Sequence, residues 1–142
     1  MKRLKQITII DDNKIFVFLT SKLIENTNLV NEISCFENGL DAINFIKENA
    51  TKEENLPEII LLDLSMPIMD GWQFLDLYVK AAPSLAKKIT LYIVSSSISP
   101  DDVNRAKSID EVSDYIVKPI TQEKLTKIIS EVIPIHLPNK TP

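Results

Sequence analysis

The 142-residue chain contains two glycines, one cysteine and one histidine, and no long apolar run. Glycine-rich phosphate cradles are excluded, because nucleotide-binding fingerprints need several glycines close together and Gly39 and Gly71 stand far apart. The lone Cys35 cannot form an internal disulfide, and its apolar neighbours predict a small buried hydrophobe. With no segment long enough to span a bilayer, and a charged start, MKRLKQ, leading into a strand too short for a signal-peptide core, the expectation is a cytoplasmic protein without membrane insertion. Positive charge is not in excess either. The formal net charge is −4 and the basic residues are scattered, which argues against direct nucleic-acid binding.

What is present is the composition of one soluble domain, 44% apolar and 25% charged, long enough to bury a core without staples. Short continuous apolar runs at Ile7–Ile10, Ile59–Leu62, Leu91–Val94 and Tyr115–Val117 suit parallel strands covered on both faces. Between them, apolar residues recur at helical spacing: Phe16, Leu19 and Leu23; Ile43 and Ile46; Phe74, Leu77 and Tyr78; Leu125, Ile128, Ile129 and Val132. The more polar Val30–Phe36 reads as a second strand at a sheet edge. Ser99, Pro100 and Asp102 form a capping-box-like start to the fourth helix. Trp72 and Met69 are expected to pack where the third helix begins. The prediction is an α/β fold, a doubly wound five-stranded parallel sheet with five helices.

In such sheets ligands bind at the carboxyl ends of the strands, near the switch in strand order. Reading off those ends gives Asp11 and Asp12 after the first strand, Asp63 after the third, Ser95 after the fourth and Lys118 after the fifth. Each has an ordinary explanation alone, as a cap, a turn residue or a solvated charge. Together they bring three acids, a hydroxyl and an amine to one edge. Adjacent aspartates at a strand end repel each other unless a cation lies between them, and oxygen donors without His or Cys favour a hard ion, Mg²⁺ or alternatively Mn²⁺. A divalent ion plus Lys118 balances three carboxylates, so the loaded site can receive a phosphoryl group.

The stretches IIDDNKIF, FENGLDAI, IILLDLSMPIMDGWQFL, LYIVSSS and SDYIVKPI, spanning roughly residues 5 to 132, resemble the receiver domains of two-component response regulators. The resemblance implies a flavodoxin-like sheet of order 2-1-3-4-5. It implies Asp63 as the phosphorylation site, taking a phosphoryl group from a histidine kinase or histidine phosphotransfer protein. Mg²⁺ would be held by Asp11, Asp12, Asp63 and the backbone carbonyl of Ser65. Ser95 and Lys118 would assist the transfer, Ser95 and Tyr115 would switch together, and Lys118-Pro119 would be a cis peptide bond. The implied role is a self-modifying switch rather than an enzyme with a separate substrate.

Two departures stand out. Ser96 follows the switch hydroxyl where the family commonly has Ala or Gly, and IDEVSDY replaces a small, glycine-containing segment before the tyrosine. Ser65 and Ser97 occupy the positions at which the family tunes phosphoryl lifetime. Competing folds fare worse: DDNKI would repel a flavin phosphate, and a haloacid-dehalogenase-type phosphohydrolase would need an acid where Ser65 stands. A receiver-like module working without phosphorylation would be expected to lack an acid, the hydroxyl or the lysine. The expected organisation is a receiver domain over residues 1–133 and a proline-rich tail over 134–142 in which His136 is solvated. About ten residues beyond Val132 are too few for an output domain. The expectation is therefore a stand-alone, chemotaxis-regulator-like switch or phosphorelay member that passes its state to a separate partner.

Overall fold

The computed structural model describes residues 2–136. Five strands, β1 (Leu4–Ile10), β2 (Val30–Phe36), β3 (Ile59–Leu62), β4 (Thr90–Ser95) and β5 (Val112–Val117), alternate with five helices. These are α1 (Lys14–Thr27), α2 (Gly39–Glu48), α3 (Gly71–Ala81), α4 (Pro100–Lys107) and α5 (Gln122–His136). All neighbouring strands pair in parallel, in the order β2-β1-β3-β4-β5. The uninterrupted apolar strands are buried on both faces, as their composition demands. Ile7, Ile9, Ile59, Leu61 and Val94 face α1 and α5, meeting Ile24, Leu125, Ile128 and Ile129. Ile10, Ile60, Leu62 and Ile93 point the other way, against Ile43, Ile46, Phe74 and Ala106. Because β1 is flanked by β2 on one side and β3 on the other, the connections diverge there, opening a crevice above β1 and β3.

Local chemistry sets the helix ends. Asn13 caps α1 by accepting the Phe16 amide at 3.0 Å, and the left-handed Asn28, with φ of 58°, ends it. Asp70 caps α3 in a complete capping box with Gln73. The start of α4 departs from expectation. Ser99 occupies the cap position and Pro100 the first turn, yet the Ser99 side chain makes no capping bond. Asp102 instead accepts the hydroxyl of Ser97 at 2.6 Å.

Four further expectations are corrected. Cys35 is exposed, because it lies on the edge strand, which has a neighbour on one side only. Leu19 is exposed: the buried stripe of α1 runs through Thr20 and Ile24, leaving Leu19 beside Ile15 and Phe18 on the outer side. Helix α5 continues through Pro134 to His136, so the first residues of the expected tail are helical, while residues 137–142 lie outside the described residues. His136 is half-buried rather than solvated. Its Nε2 is enclosed without a hydrogen-bond partner, near the buried Glu58–Lys87 ion pair, and burial pushes its pKa down. This cluster precedes β3, at the sheet end opposite the crevice. Trp72 and Met69 do pack against the core at the start of α3.

Candidate functional site

Both glycines of the chain serve the loop that follows β3. Gly71 lies so close to the end of β3 that a Cβ there would collide with the Asp63 carbonyl oxygen and come within 2.8 Å of Leu64 Cα. Its amide donates to the Leu64 carbonyl at 3.0 Å. Gly39 donates its amide to the Met69 carbonyl at 2.9 Å, where a Cβ would again intrude at 2.8 Å. The loop is thus pinned at two points while Ile68, between them, adopts a left-handed φ of 69°. A β-branched side chain is strained in that conformation, and this one is 75% exposed, so it gains no burial in return.

The crevice above β1 and β3 is an open cleft of about 770 Å³, lined among others by Asp12, Asp63, Ser65, Ser95 and Lys118. Asp11, Asp12 and Asp63 bring carboxylate oxygens within 4.8 Å of one another. Asp11 and Asp63 are buried and Asp12 is exposed, so the cluster has a closed floor and an open mouth. Lys118 reaches across from β5, its Nζ lying 2.8 Å from Asp11 Oδ2 and 3.5 Å from Asp63 Oδ1. The ammonium also sits 4.2 Å from the centroid of the Phe16 ring, which steadies it against the cleft wall. Asp11 Oδ1 accepts the Asn13 amide at 2.9 Å, whereas its Oδ2 is buried and has the ion pair with Lys118 but no directed hydrogen bond.

One ammonium does not neutralise three carboxylates. Burial pushes the Asp63 carboxyl up to about 6, the Asp11 charge pushes the same way, and Lys118 opposes both. An oxygen-only cluster with a buried, incompletely satisfied carboxylate oxygen fits a hard divalent cation. The acidic cluster is therefore compatible with a divalent metal site.

Ser95 is buried at the end of β4, and its Oγ accepts the Ser97 amide at 3.1 Å. The Tyr115 hydroxyl donates to the Ser97 carbonyl at 2.8 Å, joining β5 to the loop after β4. The Lys118-Pro119 bond is cis. All five strand-end residues thus share one end of the sheet, and Ser65 and Tyr115 adjoin them. Asp70 and Asp102, which also line the cleft, were not anticipated as site residues. Asp70 is the cap of α3 and Asp102 lies in the first turn of α4, and only the convergence of loops brings both to the cleft wall.

Residues 7–130 match the response regulator receiver domain. The response regulator Rcp1 of Synechocystis is 27% identical over 129 residues, spanning 90% of this chain and 86% of that protein. The crystal structure of a two-component response regulator from Cytophaga hutchinsonii is 32% identical, with a TM-score of 0.82, covering 92% of this chain and 98% of that one. The phosphorylated cyanobacterial phytochrome response regulator RcpA is 28% identical with a TM-score of 0.71, covering 96% of each chain. With the same fold and a family match over nearly its whole length, the chain belongs to the response regulator receiver domains, signalling switches of two-component systems.

Proposed function

We propose that the cleft accepts a phosphoryl group on Asp63 from a phosphohistidine of a histidine kinase or phosphotransfer protein, with Mg²⁺ as cofactor. The observation that carries this reading is the placement of Asp63 at the closed floor of a three-carboxylate cluster, within reach of the Lys118 ammonium. A phosphorylated relative of the same fold supports it.

In this reading a carboxylate oxygen of Asp63 attacks phosphorus, the phosphorus–nitrogen bond to the donor imidazole breaks, and that ring leaves with the bonding electron pair. Asp11, Asp12, Asp63 and the Ser65 carbonyl would hold Mg²⁺, which supplies positive charge for the peripheral phosphoryl oxygens. Lys118, drawn toward Asp63 by its ion pairs, would balance the same developing charge with its ammonium. Ser95 presents a hydroxyl to those oxygens once it releases its neighbour's amide. Phosphoryl transfer has little covalent chemistry for a protein to perform, so positioning and charge suffice. The modified domain would then signal to a separate protein through the face formed by α4, β5 and α5, because Tyr115 joins that face to the cleft.

Fluorine NMR of the protein mixed with beryllofluoride, a phosphoryl mimic, tests this assignment. A bound signal that requires Mg²⁺ and disappears in Asp63→Asn is expected. A bound signal that survives in Asp63→Asn would place the acceptor elsewhere.

A further inference from the structure

Ser97 is a node of four hydrogen bonds. Its amide donates to Ser95 Oγ at 3.1 Å, its carbonyl accepts the Tyr115 hydroxyl at 2.8 Å, its Oγ donates to Asp102 at 2.6 Å, and that same Oγ accepts the Ser99 amide at 3.2 Å. The partners come from four places: the end of β4, β5, the first turn of α4, and the cap position of α4. Ser99 does not cap α4 with its own side chain, and Pro100 at the first helical position has no amide to offer. The first turn of α4 is therefore tied to the rest of the molecule by Ser97 through Asp102.

We infer that Ser97 is the positioning residue that transmits the state of the Ser95 hydroxyl to helix α4. The inference rests on the phosphoryl-acceptor reading of the cleft, and adds to the Ser95–Tyr115 pair a second branch through Asp102. Two physical effects open the node together. If Ser95 turns to another staggered rotamer to meet a phosphoryl oxygen, its Oγ leaves the Ser97 amide, which loses its anchor. At the same time the incoming anion enters the cleft that Asp102 lines, repelling the carboxylate that holds the Ser97 hydroxyl. A hydroxyl-to-carboxylate bond is among the stronger hydrogen bonds, so its loss loosens the first turn of α4 measurably. Tyr115 loses its acceptor in the same event, because that acceptor is the Ser97 carbonyl.

Hydrogen exchange of the α4 amides from Val103 onward, the first to find an acceptor, read by NMR or mass spectrometry with and without Mg²⁺ and beryllofluoride, tests the inference in wild type, Ser97→Ala and Ser97→Thr. Wild type should exchange faster at these amides when beryllofluoride is bound. Ser97→Ala should already exchange about tenfold faster than wild type in the metal-free protein and show little further change on saturation. Ser97→Thr, which keeps the hydroxyl, should restore both the protection and the response. Occupancy is followed by fluorine NMR in parallel. Failure of wild type to bind beryllofluoride removes the acceptor reading, while the metal-free comparison still decides whether Ser97 secures α4. Ser97→Ala exchanging like wild type in the metal-free protein, or binding beryllofluoride and responding at α4 as wild type does, overturns the inference.

Discussion

Replacing Asp63 with asparagine should stabilise the metal-free protein, even though it removes the proposed acceptor. Two unit charges 4.8 Å apart, the span within which the three carboxylates meet, repel by about 1 kcal/mol at the dielectric of water and about 3 kcal/mol at an effective value near 20. The carboxyl of Asp63 lies at about 6 instead of its ordinary 3.8, with the opposition of Lys118 already included. A difference of roughly two pH units corresponds to at most ~3 kcal/mol, and screening in an open cleft reduces this to about 1–2 kcal/mol. The sign follows from proton linkage. The folded protein holds this proton more tightly than the unfolded chain, so the contribution is fully present below about pH 4 and is lost as pH rises through about 6. Asp63→Asn undergoes no such loss. Urea unfolding in EDTA, followed by the single Trp72 beside the cleft, should show the variant gaining about 1–2 kcal/mol over wild type at neutral pH relative to their difference near pH 4. Adding Mg²⁺ should stabilise wild type more than the variant and narrow or reverse the gap. A variant less stable than wild type in EDTA at neutral pH, or a gap that does not change with pH, would refute the charge argument.

Three further outcomes follow from the geometry. Asp12→Ala should weaken Mg²⁺ binding ~10-fold or more, because it removes the carboxylate at the mouth of the cluster, and unchanged affinity in a Trp72 fluorescence titration would remove the metal assignment. Gly71→Ala should lose about 1–3 kcal/mol in urea unfolding and weaken Mg²⁺ binding as well, since its Cβ must push against the backbone of Asp63 and Leu64; wild-type stability would contradict the close approach. Ile68→Asn should gain roughly 0.5–1 kcal/mol by relieving a left-handed β-branched residue that buries little, and a loss of stability would show that the isoleucine is held there by packing.

Much of this architecture was legible because parallel strands buried on both faces announce themselves as continuous apolar runs. Ile59–Leu62 coincides with β3, and Val30–Phe36, more polar than the rest, is β2 at the sheet edge. Strand ends then locate the crevice, so Asp11, Asp12, Asp63, Ser95 and Lys118 could be placed at one sheet end from sequence alone. What stayed hidden depends on contacts between distant loops. Local reading assigns Asp102 to a capping box with Ser99, but the nearby Ser97 hydroxyl competes for the carboxylate and wins. The outward turn of Leu19 follows from which stripe of α1 meets α5, and periodicity in an apolar-rich helix does not single out one stripe. The strain at Ile68 arises because Gly39 and Gly71 fix the loop on either side of it, a constraint no local propensity records.

On the proposed reading, this cleft takes up a phosphoryl group on Asp63 with the help of a divalent cation. Incubation with acetyl phosphate, followed by intact-mass measurement and peptide mapping, tests it in wild type and Asp63→Asn, each with Mg²⁺ or with EDTA. One hydroxylamine-sensitive phosphoryl group is expected on the peptide containing Asp63, formed in wild type with Mg²⁺ and absent both in EDTA and in Asp63→Asn. Labelling that persists in Asp63→Asn, or that proceeds equally well in EDTA, would contradict it.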